Sequence, residues 1–210
     1  MGTGAARPVP MAGAAAVALV PHPAGGFAVV PKADHSAAWV SEATMGLRGA
    51  QWGQIVLRQA RSERVHPEVG VVRDLGLAAL AVGLAQAAVE ESVRFAKDRT
   101  QFNKPIASFE GIRARIGDHG IGVDAARALT LQAAAVADKG QPAARLAAEA
   151  KVLATETASR ETRSAIRLHG GSGFLKDFAA ERLNRDARML PLLGAPTAEA
   201  RDAAAQALLR

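Results

Sequence analysis

The chain has 210 residues, a formal net charge of +6 and no cysteine. That length allows one large domain or two small ones with a buried core, and the missing cysteines exclude disulfides and thiolate chemistry. Hydrophobic residues make up 49% of the sequence but aromatic residues only 4%. Much of the apolar content is alanine, which has the highest helix propensity, so we expect a helix-rich protein.

The positive charge admits two interpretations, nucleic-acid binding or a solvated surface rich in arginine. The arginines are interleaved with acids and no basic cluster alternates with aromatic residues, which favours the second and leaves a preference for anionic ligands such as phosphates. Residues 11–20 are apolar, but only Arg7 is basic before them and prolines flank them, so a strand is favoured over a signal peptide. No apolar run approaches the ~20 residues that span a bilayer. We expect a cytoplasmic protein that binds neither nucleic acid nor a membrane.

The first third of the chain has the pattern of a β-sheet. Its apolar stretches are short and are broken by glycine and proline, which is typical of strands joined by turns. The predicted strands are Ala14–Val20, Phe27–Pro31, Ala37–Val40 and Gln54–Leu57. Because about 65 residues are few for an independent sheet domain, we interpret them as part of one.

After residue 70 the apolar residues recur every three to four positions, which predicts helices. Gly140 is expected to end the second helix as its C′ residue, and Pro142 to lie in the first turn of the third. The predicted helices are Val71–Asp98, 109–139, 142–168, 179–190 and Thr197–Leu209. The fold class is therefore α+β, mainly α, with a partial sheet at 1–69 followed by an up-down bundle at 70–210.

Two loops between these helices carry groups suited to phosphate binding. The segment 99–106 offers Arg99, Gln101 and an exposed Phe102, a set that suits a nucleotide pyrophosphate, although spacing alone favours a basic helix connection. The segment 169–173 brings Gly170 and Gly171, whose backbone a ligand can approach closely. No strand precedes it, which excludes a Rossmann site and leaves a plain helix terminus as the alternative.

Four strings, taken together and in order, resemble the acyl-CoA dehydrogenase family. They are DRTQFNKPIASFEGI (98–112), AIRLHGGSGF (165–174), ERLNRDAR (181–188) and GAPTAEARD (194–202), the last with Thr197 as a possible N-cap. The segment 25–57 is similar to the second half of that family's middle β-domain. The resemblance covers residues 14–210 and implies a partial middle β-domain at 1–69 and the C-terminal helical bundle at 70–210.

The resemblance implies an FAD-dependent oxidation of an acyl-CoA or acyl-carrier thioester in an oligomer. In that family a glutamate removes the α-proton and the flavin accepts the β-hydride. The implied FAD contacts fall into three groups, the first of them to the FAD of a neighbouring subunit. They are Arg99, Gln101 and Phe102; then Arg167, Gly170 and Gly171; then Thr197 and Glu199.

The departures from the family pattern concern catalysis. One family position for the glutamate falls on Gly194 and Ala195, and the other falls on Arg73, followed by Asp74. We therefore assign no catalytic residue and no metal ligand, and rank Asp74 and Glu199 as remote alternatives for the base. The family's N-terminal helical domain and the start of its β-domain have no counterpart in this sequence.

Three hypotheses follow for function. The first is a flavoprotein subunit that needs a partner, either a copy of itself or a full-length acyl-CoA dehydrogenase subunit, to complete its FAD and substrate sites. The second is a scaffold subunit without flavin, and the third is a fragment of a longer product. We also predict at least a dimer through 71–98, 109–139 and 99–106, because small residues form a stripe on the first helix at Gly76, Ala79, Gly83 and Ala87.

Overall fold

The computed structural model of the chain consists of two compact units, Met1–Val72 and Arg73–Arg210. It describes residues 2–9, 17–21, 27–31, 37–41, 43–60, 63–65 and 68–209. The predicted strand residues 14–16 lie outside this set. The correspondence of the two units to particular family domains remains a prediction.

The first unit contains two three-stranded antiparallel sheets. One has the strand order β1-β5-β4 and the other β2-β3-β6. The strands are β1 Gly2–Val9, β2 Val17–Pro21, β3 Phe27–Pro31, β4 Ala37–Ser41, β5 Gly53–Ala60 and β6 Glu63–Val65. Val20, Ala28 and Val30 form a small core. Strands β1 and β6 were not predicted, because Gly2–Val9 is rich in glycine and alanine, which have low β-propensity.

The second unit is helical, which confirms the predicted fold class. Each predicted helix is present, with ends within two residues of the prediction. The helices are α1 Val69–Asp98, α2 Glu110–Asp138, α3 Ala144–His169, α4 Ala179–Met189 and α5 Thr197–Leu208, and α1 and α2 are joined by the short hairpin β7 Thr100–Gln101 and β8 Lys104–Pro105. Gly140 has φ +67°, as expected of a C′ glycine. Pro142 instead precedes the N-cap of α3, Ala143.

Helices α1 to α4 alternate in direction. The end of α1 packs on the end of α3, where the rings of Phe95 and His169 stack with centroids 4.1 Å apart. The beginning of α2 lies against the later half of α3, where His119 contacts Glu161. Helix α3 also packs against α4 and α5, so it forms the centre of the bundle.

Alanine dominates the buried positions described between the helices, among them Ala78, Ala85, Ala126, Ala154 and Ala165. Methyl groups allow close approach of the helix backbones, but each buried methyl contributes only about 0.8 kcal/mol. Larger buried apolar side chains are fewer: Val82, Val123, Leu168, Leu183 and Leu190 in this unit. The bundle thus gains little hydrophobic stabilisation per residue from its own core.

Helix α1 is more apolar than the sequence analysis allowed. It contains an 18-residue window with a mean hydropathy of 1.5, long and apolar enough to cross a membrane, of which 28% is buried within this chain. One such helix is weak evidence for a membrane span, because the core helix of a bundle passes the same test. The predicted small-residue stripe is largely uncovered, since Gly76, Ala79 and Gly83 are exposed and Ala87 is half-buried.

Candidate functional site

The beginning of α1 meets the turn that precedes α5. A β-carbon at Gly194 would lie 2.7 Å from Arg73 Nε and 3.1 Å from Leu77 Cδ1, and Gly194 has φ +66°. The backbone of Gly194 therefore packs directly against the Arg73 side chain. These two positions, to which the resemblance assigns the family's alternative bases, are neighbours in space, and neither carries a carboxylate.

Asp74, the acid next to these positions, is paired with Arg73. Arg73 Nε donates to Asp74 Oδ1 at 2.8 Å, and the side chains are 30% and 11% exposed. Glu199, the other remote alternative for the base, is exposed on the first turn of α5. Asp74 is therefore engaged in an ion pair with Arg73.

The turn before α5 is bound by Lys151, a residue that the sequence did not mark as part of a site. Lys151 of α3 is completely buried, and its Nζ donates to the Ala195 carbonyl at 2.7 Å and to the Pro191 carbonyl at 3.3 Å. Burial lowers the pKa of Lys151, and the attraction of Asp74 and then of Glu199 opposes that shift. Lys151 thus fixes the position of residues 191–195, and the charges of Asp74, Arg73 and Glu199 act on it from nearby.

The side chain of Thr197 does not cap α5. The N-cap residue is Pro196, without a side-chain hydrogen bond, and Thr197 Oγ1 donates to the Pro191 carbonyl at 3.2 Å. The N-cap expectation was wrong because Thr197 is the first residue of the helix itself and its hydroxyl is bound to a carbonyl of the preceding turn. The half-buried Thr197 therefore belongs to the same turn that Lys151 holds.

The hairpin between α1 and α2 presents the first group of predicted FAD contacts to solvent. Its turn is formed by Phe102 (φ 51°) and Asn103 (φ 61°), and two such consecutive residues are typical of a type I′ turn. The Ile106 amide donates to the Arg99 carbonyl at 2.8 Å and closes the hairpin. Arg99 and Gln101 are exposed, and Phe102 is 85% exposed. Their side chains are free to meet a ligand or another chain.

The glycine-rich turn after α3 is anchored by a buried imidazole. His169 Nδ1 donates to the Ala165 carbonyl at 2.7 Å, and the ring stacks on Phe95. Beyond it, Gly170 and Gly171 are exposed, and a β-carbon at either would meet nothing within 4 Å. Arg167 is exposed one turn earlier. The turn thus offers open backbone beside a guanidinium.

The hairpin and the glycine-rich turn belong to one end of the bundle. A cavity of about 260 Å³ lies between the end of α1 and the loop before α4. Its lining combines acids, guanidinium groups and aromatic rings: Glu91, Arg94, Phe95, Asp98, Arg99 and Phe178. Phe178 also contacts the His169 ring, with centroids 5.6 Å apart.

The predicted site residues therefore fall into two groups. Arg73 lies near the beginning of α1 and Arg99 directly follows its last residue, 26 residues later, which at 1.5 Å per residue is roughly 39 Å. Arg99, Gln101, Phe102, Arg167, Gly170 and Gly171 lie at the far end, whereas Thr197 and Glu199 lie with Arg73 and Gly194. One chain does not bring all of these residues to one ligand.

The donor groups suit the diphosphate of FAD. Guanidinium groups bind phosphate oxygens through two parallel hydrogen bonds, and Arg99 and Arg167 are both exposed. The absent side chains at Gly170 and Gly171 leave room for a ligand at the backbone. Among the residues that the structure describes, no group of three His, Asp or Glu side chains is placed to hold a metal ion.

Gly173 shapes the glycine-rich turn, and we predict that Gly173→Ala lowers the free energy of unfolding by about 1–3 kcal/mol. A β-carbon there would lie 2.6 Å from the Ile166 carbonyl oxygen and 2.9 Å from its α-carbon, and the α3 backbone cannot yield cheaply. Gly171→Ala is the matched control, because that position is open. Thermal unfolding of both variants checks the prediction, and equal melting temperatures would contradict it.

These features define the class of protein: an up-down helical bundle with a separate polar group at each end. A sequence profile described as "Acyl-CoA dehydrogenase, C-terminal domain" matches residues 73–209. The chain belongs to the acyl-CoA dehydrogenase family, whose members are FAD-dependent oxidoreductases. The resemblance found in the sequence is therefore confirmed.

Individual relatives agree with this assignment. The chain is 38% identical over 160 residues to Probable acyl-CoA dehydrogenase YngJ of Bacillus subtilis (strain 168), which covers 70% of this chain and 42% of that protein. The butyryl-CoA dehydrogenase structure from Megasphaera elsdenii superposes with a TM-score of 0.85 at 26% identity over 99% of this chain and 60% of that one. The Mycobacterium tuberculosis ChsE4-ChsE5 complex has a TM-score of 0.86 at 24% identity over 99% and 59%, which shows a shared fold. The chain spans less than half of YngJ.

Proposed function

We propose that this chain is a subunit of an acyl-CoA dehydrogenase-type flavoprotein whose FAD and acyl-thioester sites are completed by a second chain. The observation that carries the proposal is the separation of the two residue groups, roughly 39 Å along α1. A chain with cofactor-contacting groups at both ends of one bundle serves two different sites. Each complete site then needs groups from two chains.

In this proposal the far end contacts the FAD of the partner. Arg99 and Arg167 bind the diphosphate, the open backbone at Gly170 and Gly171 approaches it, and Gln101 and Phe102 extend from the hairpin toward the same cofactor. Thr197 and Glu199 approach the nucleotide of this chain's own site. Bound FAD supplies the hydride acceptor for α,β-oxidation of the acyl group.

The carboxylate base is supplied by the partner chain. Abstraction of an α-proton needs a positioned base, which by itself contributes about 10²–10⁴-fold to rate. The resemblance places Gly194 and Ala195 at one family position for it and Arg73 at the other, and Asp74 is paired with Arg73. The structure that shares this fold from Mycobacterium tuberculosis is a complex of ChsE4 with ChsE5, and a pair of that kind would supply the missing carboxylate.

The visible absorption spectrum tests the proposal. Purified alone, the chain should be colourless or weakly yellow, and co-expression with a full-length relative should give a complex with a flavin spectrum. Arg99→Ala in this chain should lower the FAD content of that complex, whereas Lys176→Ala, an exposed residue in the loop before α4, should not. Stoichiometric FAD together with acyl-CoA turnover in the isolated chain would refute the need for a partner.

The second candidate function is a scaffold subunit without flavin. It is favoured by the ion pair of Arg73 with Asp74, which occupies the position where a base would act. This hypothesis predicts a stable helical oligomer that shows no flavin absorbance with or without a partner chain. The same spectra therefore separate the two functions.

Assembly is a separate prediction: the chain forms at least a dimer through α1, α2 and the hairpin. The exposed Gly76 and Gly83 allow close approach of another helix, and a β-carbon at either would meet nothing within 4 Å. Gly83→Leu should split the dimer, whereas Ala198→Leu on exposed α5 should not. Light scattering at micromolar concentration measures both, and a mass of one chain that persists as concentration rises refutes the dimer.

A further inference from the structure

A third polar cluster lies between α2 and α3, apart from both groups described above. His119 Nδ1 contacts Glu161 Oε2, and His119 Nε2 lies 2.7 Å from Ser164 Oγ. The side chains of Glu161 and His119 are 1% and 13% exposed, and Ser164 is half-buried. A serine, an imidazole and a carboxylate thus form one continuous line across the two helices.

Chemistry fixes the direction of the hydrogen bonds in this line. The Glu161 carboxylate can only accept, and Arg160 Nε donates to its other oxygen, Oε1, at 2.8 Å. His119 Nδ1 must therefore carry a proton and donate it toward Glu161. In a neutral imidazole the other nitrogen is then an acceptor, so the Ser164 hydroxyl donates to His119 Nε2.

Ser164 differs in this respect from other hydroxyl residues of the helices. Ser92, Thr130 and Thr162 each donate to the backbone carbonyl four residues earlier, at 2.7–2.8 Å. That local bond is the usual fate of a hydroxyl inside a helix. The Ser164 hydroxyl instead points across to a base on the neighbouring helix.

Gly122 of α2 lies close to the carboxylate and to the guanidinium that donates to it. A β-carbon at Gly122 would lie 2.6 Å from Arg160 Nη2 and 3.2 Å from Glu161 Oε1. A larger residue there would displace the end of the exposed Arg160 side chain, which donates to the carboxylate. The second carboxylate oxygen remains for His119, which fixes the orientation of the imidazole.

We propose that Ser164 is an activated nucleophile that accepts an acyl group from a carboxylic ester or thioester, with His119 as its general base and Glu161 as the residue that orients His119. The arrangement has the roles of a Ser-His-acid triad, which is recognised by geometry and not by sequence order. The site is independent of the flavin-dependent function proposed above.

The reaction balances without any redox partner. Ser164 Oγ attacks the carbonyl carbon while its proton passes to His119 Nε2, and the bond from that carbon to the alcohol or thiol breaks. His119 returns the proton to the leaving group. Water then attacks the acyl-serine by the same route, which releases the acid and restores the hydroxyl.

An aryl fluorophosphonate tests the nucleophile on the full chain, because its phosphorus is attacked by an activated serine with loss of fluoride. We expect an adduct on Ser164, located by mass spectrometry of the peptides. Ser164→Ala should abolish it, and His119→Gln should slow labelling about 10²-fold, the lower range for a lost general base. Ser92→Ala is the matched control and should label like the wild type, since its hydroxyl is bound to the Ala88 carbonyl.

Each other outcome overturns the proposal. No adduct on Ser164 at a concentration that labels a serine esterase rejects the nucleophile. An adduct on Ser164 that forms at the wild-type rate in His119→Gln rejects the triad. Circular dichroism of His119→Gln shows whether the bundle is intact, and Glu161→Gln, which keeps the shape of the side chain, should also slow labelling.

Discussion

Arg73→Glu should raise the rate of acyl-CoA oxidation by about 10²–10⁴-fold, the contribution of a positioned general base, in a flavin-containing complex whose partner carries no base. The substitution places a carboxylate at the position that the family resemblance assigns to one of its two bases. The neighbouring Asp74 carboxylate, 11% exposed, would repel its charge and favour the proton-accepting role. Reduction of an external dye by acyl-CoA measures the rate.

The matched variants separate a new base from a mere loss of charge. Arg73→Gln removes the guanidinium without adding a base and should show no gain. Gly194→Glu should also show none, because its β-carbon would lie 2.7 Å from Arg73 Nε and φ is +66°, a region that side-chain-bearing residues rarely adopt. Equal activity of Gly194→Glu and Arg73→Glu would contradict the packing described between these two positions.

Lys151→Met should lower the free energy of unfolding of the helical unit by about 1–3 kcal/mol, the cost of leaving a buried acceptor without its donor. The Ala195 carbonyl would lose a donor at 2.7 Å and the Pro191 carbonyl one at 3.3 Å. Methionine fills similar space, so the loss reports the polar contacts. Urea unfolding followed by circular dichroism measures it, with the exposed Lys176→Met as the control.

The pH dependence gives an independent check on Lys151. Burial lowers its pKa in the folded chain below the ordinary value of 10.5, so between the two values the unfolded chain binds the extra proton. Stability therefore rises with pH across that alkaline window. The wild type should gain stability relative to Lys151→Met as pH approaches 10.5, and parallel curves for the two proteins would show that Lys151 has no lowered pKa.

The helices were predictable because their apolar residues recur with the helical period over long segments, and the ends of α1 and α2 were marked by the Pro105 turn and Gly140. The strand β1 was not predictable, because Gly2–Val9 has no strand composition and is set by its pairing with β5. A strand of this kind is formed by hydrogen bonds to residues far away in the sequence. Local pattern holds no information about such pairing.

The candidate site residues likewise divide into those marked by a local sequence string and those brought together only by folding. Arg99, Gln101 and Phe102 were found because they form a short string, and the structure exposes them on a hairpin. Lys151 was missed because a lysine in an alanine-rich helix reads as a solvated position. The triad was missed because His119 lies 42 residues from Glu161 and 45 from Ser164, a contact that only the packing of α2 on α3 creates.

The alanine-rich core determines which mutations this chain can tolerate over time. At positions such as Ala85, Ala154 and Ala165, which are 0–1% exposed, nearly every substitution enlarges the side chain. Substitutions at these positions therefore push neighbouring helices apart and do not create cavities. The typical cost is about 1–3 kcal/mol per enlarged side chain. A saturation mutagenesis map of the bundle should therefore show buried sites where only glycine and serine survive, and pairs of enlarging changes should rescue each other rarely.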